Sequence, residues 1–252
     1  KSLISNMMAD EVDEFLREAA MLAKLRHPNV CMFYGIGVKS DTLYLVQEYC
    51  DGGSLRDFRK FSGYDHRKHT AKFMLQLFKT LHYLHSRAIP VIHRDIKPQN
   101  IMLTPSGRAK IADFGLSRFI DDKIKKTISK DELLNILGSS PIINKELGKN
   151  IDDSEVTCNV GSQRYMSPEM KNKHKYNHKT DIWSAGIVFF ELFENVRYFK
   201  DKYIWKKTPL NIQNLINTNM LKEDFKERAS ANDLIKLFES LDIKSRTFWK
   251  MW

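Results

Sequence analysis

The run Ile182 to Phe193, IWSAGIVFFELF, constrains the fold more than any other stretch of this chain. It is apolar on nearly every side, and a helix of that kind is buried rather than laid on a surface. Spanning a bilayer takes about 20 apolar residues. This run is shorter and carries Glu191, so residues 180–194 are expected as a buried helix. The chain has 252 residues, 42% of them hydrophobic, enough to bury a substantial core in one large or two small domains.

Around that helix the pattern alternates between helical and strand-like periods. Residues 10–26 place Val12, Phe15, Leu16, Ala19, Leu22 and Ala23 on one stripe, with Asp10 as N-cap and Pro28 closing the helix. Glu18 stands beside that stripe and leans toward the core edge. VCMFYGIGV and TLYLVQEYC read as two strands joined by a hairpin turn at Ser40 to Thr42. DGGS at 51–54 breaks the chain. A second helix is expected over 67–87, with Ala71, Met74, Leu75, Phe78, Leu81 and Leu84 near one face. Short strands follow at 89–92, 101–103 and 108–111, and an amphipathic helix at 230–241. Residues 119–156 are rich in Lys, Asp, Asn and Ser and read as a largely mobile insertion with one short helix at 130–137.

The formal charge is +10, spread along the chain without a basic arm or stripe, so nucleic acid is not expected as a partner. Three cysteines, Cys31, Cys50 and Cys158, are odd in number and far apart in sequence. They form neither a disulfide framework nor a zinc pattern, and a reducing, cytoplasmic compartment is expected.

The chemistry concentrates in HRDIKPQN, His93 to Asn100, directly after a helix and an Ile-Pro-Val-Ile run. Asp95 and Asn100 are five apart, with Lys97 between. Asp113-Phe114-Gly115 follows two short strands later. A loop, a hairpin and a second acidic centre can converge on one small volume. Magnesium takes hard oxygen ligands and keeps waters, so Asn100 and Asp113 suit it. Lys97 can neutralise phosphate charge, and Asp95 can orient a hydroxyl and accept its proton.

These residues resemble the signature of a eukaryotic protein kinase domain: His93-Arg94-Asp95 with Asn100, Asp113-Phe114-Gly115, and Ser167-Pro168-Glu169. DIWSAG at 181–186 resembles the family's central buried helix. Arg228 resembles the arginine that pairs with Glu169. Lys97 two after Asp95, and Ser162 in VGSQRYMSPE, are similar to serine/threonine kinases. The helix EFLREAAMLAKLRHPNV resembles the tyrosine-kinase-like group.

The resemblance implies an α+β, bilobal fold and transfer of the ATP γ-phosphate to Ser or Thr hydroxyls of protein substrates. ATP and magnesium are the implied cofactors. Asp95 and Lys97 would be catalytic, and Asn100 and Asp113 would hold magnesium. Glu48, Tyr49 and Cys50 would bind adenine, with Gln47 at the gatekeeper position. His93 and Phe114 would be structural, and Asp181 would hold the catalytic loop. Arg94 would meet a phosphate placed by an upstream kinase, on Thr157 or else Ser154. A pseudokinase acting as a scaffold or allosteric partner is the alternative function.

The resemblance also implies a partial N-terminal lobe over 1–50, a C-terminal lobe over 51–242 with the insertion inside its activation segment, and a tail over 243–252. GIGVKS, Gly35 to Ser40, lacks the third glycine of a nucleotide loop and reads as a strand end. Lys1, seventeen residues before Glu18, either is the ATP-anchoring lysine that pairs with that glutamate or is an arbitrary first residue. The sequence is expected to be an N-terminally truncated piece, weakly active or inactive by itself.

Overall fold

The computed structural model describes residues 9–39, 42–60, 66–119, 162–196 and 204–241. Lys1, Ser154, Thr157, Cys158 and the insertion beyond Phe119 lie outside the described residues, as do Ser40 and Asp41 of the expected hairpin turn.

The first helix, α1 (Ala9–Ala23), buries Phe15, Leu16, Ala19 and Leu22 together with Ala20 and Met21. Asp10 lies inside it rather than at its cap. The helix stops three residues short of the expected 26. Lys24 N and Leu25 N donate to the carbonyls of Met21 and Leu22, tightening the last turn, and Arg26 N donates to the Tyr83 hydroxyl instead of to its own helix. An antiparallel hairpin follows, β1 (Phe33–Lys39) on β2 (Thr42–Gln47). Its register shifts at Gly35, whose φ of +150° suits a glycine at a bulge. Gly37 also stands inside β1.

Two further two-stranded sheets shape the middle of the chain: β3 (Val91–Ile92) pairs with β6 (Arg118–Phe119), and β4 (Ile101–Leu103) with β5 (Ala109–Ile111). The β3–β6 pair closes residues 93–117 into a loop, which is why two segments twenty residues apart share one neighbourhood. The hairpin is tied to this loop through β5. Cys31 N donates to the Ile111 carbonyl, Ile111 N to that of Asn29, and Asn29 Nδ2 to that of Ala109.

The remaining α-helices among the described residues are α2 (Leu55–Phe58), α3 (His66–His85), α4 (Pro168–Lys171), α5 (Lys179–Glu194), α6 (Leu210–Asn219) and α7 (Ala231–Ser240). Ser54 and Asp57 cap α2 reciprocally, as Ser230 and Asp233 cap α7. The aromatic edge of α3 joins the core: Phe78 meets Phe189 of α5 at 5.5 Å and Phe238 of α7 at 6.0 Å between ring centroids. Phe73 and Leu77 of α3 are buried as well, whereas Leu75 is only partly so.

In α5 every residue from Thr180 to Glu194 is buried. Its charged and hydroxyl side chains have partners, as buried polar groups require, whereas Trp183 Nε1 has none among the described residues. Ser184 Oγ donates to the Tyr165 carbonyl at 2.7 Å, and the Glu194 carboxylate accepts from the backbone of Lys206, Lys207 and Thr208. Cys31 and Cys50 bring their sulfurs to 3.9 Å as free, buried thiols, a proximity the sequence distance did not announce. Burial, then the neighbouring Cys50, pushes the Cys31 thiol up to about 12. Among the described residues no helix is long and apolar enough to cross a membrane.

Candidate active site

The site begins with one carboxylate of α5. Asp181 is fully buried, and its two oxygens accept from His93 N and Arg94 N, each at 2.9 Å. His85 Nε2 lies 2.9 Å from the same side chain. Burial alone would raise the Asp181 pKa, but the His85 contact and the loop amides hold it below the ordinary value. The core helix thereby fixes the start of the loop.

His93 follows, stacked edge-on to Phe114 at 4.8 Å. Its Nδ1 accepts from Asp95 N, and its Nε2 lies 3.2 Å from the Ala112 carbonyl. That pairing demands a neutral imidazole with the proton on Nε2. Burial lowers the His93 pKa and favours the same form. His93 thus joins the loop to the segment that carries Asp113.

Asp95 is the convergence point. Lys97 Nζ donates to it at 2.5 Å, Asn100 Nδ2 at 2.9 Å and Ser162 N at 3.2 Å. Lys97 Nζ also reaches Ser162 Oγ at 3.0 Å. Ser162, 67 residues further along, therefore sits on the loop residues. Asp113 is exposed, flanked by Ala112, whose N donates to the Asn100 carbonyl, and by Phe114 against His93. Arg94 and Asp113 have φ of 65° and 61°, a left-handed conformation that costs a non-glycine residue about 1–3 kcal/mol. The backbone at both places is held against its preference, and that holds two side chains in fixed directions.

With Nδ2 turned to Asp95, the Asn100 amide oxygen remains as a hard ligand, and Asp113 supplies an exposed carboxylate. This donor set suits a magnesium ion that draws its other ligands from phosphate and water. Among the described residues no three His, Cys, Asp or Glu side chains cluster as a self-sufficient metal site.

At the end of β2, Glu48 N donates to the Met32 carbonyl. The Glu48 carboxylate takes a 2.8 Å bond from Lys110 Nζ and another from Met32 N. Partial burial would raise its pKa, but Lys110 and Met32 hold it below the ordinary value. Gln47 Nε2 is buried with no hydrogen-bond partner among the described residues. Tyr49 is 86% exposed, Cys50 is buried, and Glu18 on α1 is 4% exposed.

Glu169 and Arg228 form a buried two-bond pair, both bonds 2.7 Å. Burial raises the Glu169 pKa, and Arg228 more than reverses that. Arg228 also lies over the Trp183 ring and donates to the Lys222 and Glu223 carbonyls.

Several residues here were not marked as site residues in the sequence. Lys110 stands in the short strand β5, where it is buried and paired with Glu48. Tyr176 accepts from Arg94 Nη1 at 2.9 Å. Glu191 accepts from the Tyr165 hydroxyl at 3.0 Å and from Arg59 Nη1 at 3.2 Å. A charge inside an apolar run was the available signal for Glu191. For Lys110 and Tyr176 there was none.

Comparison with known proteins matches residues 1–250 to the protein kinase domain. Serine/threonine-protein kinase 12 of Arabidopsis thaliana is 30% identical over 194 residues, 77% of this chain and 36% of the relative. Nek1 of Mus musculus is 32% identical over 193 residues, 75% of this chain and 13% of the relative. CBL-interacting serine/threonine-protein kinase 10 of Arabidopsis thaliana is 34% identical over 192 residues, 75% of this chain and 34% of the relative. The chain spans well under half the length of these relatives.

Proposed function

The chain belongs to the protein kinase domain family, and on that premise we propose that its parent protein transfers the γ-phosphoryl group of ATP to serine or threonine hydroxyls of protein substrates. The observation that carries this reading is the Asp95 carboxylate, held by Lys97, Asn100 and the backbone of Ser162.

Asp95 orients the substrate hydroxyl and takes its proton as the oxygen attacks the γ-phosphorus. The bond from phosphorus to the β–γ bridging oxygen breaks, and ADP leaves with that electron pair. Lys97 places its positive charge beside the transferred group. Asn100 and Asp113 would hold magnesium, which would screen the phosphate charge. Adenine pairs with backbone groups of Glu48 to Cys50. Replacing Asp95 by Asn in the full-length protein is expected to lower kcat by about 10²–10⁴ with the fold retained. Phosphoamino-acid analysis of the product reads the acceptor. Unchanged kcat in that variant refutes the role of Asp95.

Within the family the helix EFLREAAMLAKLRHPNV supports the tyrosine-kinase-like group. The free thiols of Cys31 and Cys50 support a reducing, cytoplasmic setting. Phosphorylation of Thr157 by an upstream kinase is proposed to raise activity through Arg94. Equal activity of the parent enzyme and its Thr157→Ala variant removes that step.

A further inference from the structure

Beside the catalytic loop lies a cavity of about 260 Å³, with Arg56, Arg59 and Arg164 in its walls. Gln99, Gln163 and Glu191 line it too. We propose that this cavity is a substrate subsite for an anionic side chain, a carboxylate or a phosphorylated residue, lying a few positions from the accepting hydroxyl. The proposal rests on the phosphoryl-transfer reading and specifies which protein substrates that reaction takes.

The position follows from shared residues. Ser162 lines the cavity and also bonds Asp95 and Lys97. Pro98 and Gln99 form its floor, adjacent in sequence to Lys97 and Asn100. A substrate chain with its hydroxyl at Asp95 therefore passes this opening. An extended peptide advances about 3.3 Å per residue, so a residue some two to four positions from the acceptor reaches it.

The charge follows from the lining. Among the described residues of the lining, three guanidiniums face a single carboxylate, and that carboxylate is already engaged. Glu191 accepts from Arg59 Nη1 and from the Tyr165 hydroxyl, with Arg164 Nη1 at 3.9 Å. Among the described residues the surplus at this recess is positive, which attracts an anion.

Unfilled hydrogen-bonding capacity adds an independent mark. Arg59 Nε and Gln99 Oε1 are buried atoms with no hydrogen-bond partner among the described residues. Arg59 Nε is a donor that lacks an acceptor. Turning the Gln99 amide over makes its orphan atom a donor as well. Buried polar atoms are rarely left unmatched; these two have almost no accessible surface, so an anion's oxygens reach them once the Arg59 and Gln99 side chains turn toward the cavity. The volume admits a carboxylate or phosphoryl group with a few waters. The frame is rigid: α2, which carries Arg56 and precedes Arg59, is capped by Ser54 and Asp57 and packs on the turn at Pro98–Asn100.

The test is a positional peptide scan with the full-length protein, labelled ATP and magnesium. Serine peptides carry Ala, Glu, phosphoserine or Arg in turn at each position up to five residues either side of the acceptor. At one or two positions the expected kcat/KM is at least about tenfold higher for Glu or phosphoserine than for Ala, and lower for Arg than for Ala. Phosphoserine above Glu identifies substrates phosphorylated beforehand; Glu equal to or above phosphoserine identifies acidic sequences. Arg56 is exposed on α2, and Arg56→Glu is expected to bring the Glu-to-Ala ratio, measured within that one variant, to about one or below. Phosphorylation of every peptide alike, or a preference for Arg, overturns the subsite and leaves the transfer reading standing. No phosphorylation of any peptide overturns the transfer reading and the subsite with it.

Discussion

The helix α5 and the β1–β2 hairpin both support the site, by opposite means. In α5 every residue after Lys179 is buried, and its charged and hydroxyl side chains each grip another segment. Asp181 holds the loop at His93, Ser184 and Glu191 hold the stretch around Tyr165, and Glu194 holds Lys206 to Thr208. The hairpin is a two-stranded ribbon that leaves Met32, Tyr34 and Val46 exposed. Its inner face, Phe33, Leu43 and Leu45, is buried in the core beside α1, and bonds at its base, among them Cys31 to Ile111 and Glu48 to Lys110, tie it to the rest. The difference teaches that the groups proposed to transfer phosphate stand on the most buried part of the molecule. The proposed nucleotide-binding edge stands on a thin one, since two strands alone are marginal.

The strongest way to break this comparison is to remove the anchor. Asp181→Ala leaves His93 N and Arg94 N without their acceptor and His85 without its buried partner. Leaving buried donors unsatisfied in this way costs about 1–3 kcal/mol each. Urea unfolding of the variant is expected to show a much lower midpoint together with loss of phosphotransfer. A wild-type midpoint would show that α5 is not the anchor.

Steric substitution on the same helix sharpens the point. A Cβ on Gly186 would meet Leu221 Cδ2 at 2.8 Å and Met220 Cβ at 3.2 Å. Gly186→Ala is expected to destabilise by about 1–3 kcal/mol, because α5 has no room to shift. Thermal unfolding measures it.

The pH dependence of stability also reads the buried side. His178, just before α5, is pushed down from 6.5 to about 4 by burial first, then by His85 and Lys179, with Asp181 opposing. Between those values the folded protein holds fewer protons than the unfolded chain, so its stability is complete above 6.5 and falls as pH drops toward 4. His178→Gln is expected to flatten that slope. After allowance for the partial exposure of His178 the effect is on the order of 1 kcal/mol, measured by urea titrations across the window. At the other extreme, Tyr34→Ser on the exposed face of the hairpin is expected to shift stability by less than about 0.5 kcal/mol. A larger loss would mean that the hairpin's outer face is packed.

Much of this architecture was legible because its signals are local. The all-round apolarity of 182–193 marked a buried helix, and the 3.6-residue stripe of α1 marked its inner face. Asp95, Lys97 and Asn100 drew notice because their spacing within eight residues is itself chemical. Helix ends were less legible. Asp10 had the chemistry of a cap, but α1 already includes it, and the tail of α1 gives way where Tyr83 takes the Arg26 amide. Gln47 and Cys50 could be placed at the end of a strand, but not the orphaned amide of one or the nearby thiol of the other.

The sequence by itself determined which segments bury their faces and which short stretch concentrates the candidate site residues, because periodicity and loop composition are written within a few residues. Only the tertiary structure decided which distant charges meet. Arg59 reaches Glu191 across 132 residues, Lys110 reaches Glu48 across 62, and Ser162 reaches Asp95 across 67. Such contacts follow from how three small sheets and the core helix fold the chain back on itself, and no local pattern encodes that path.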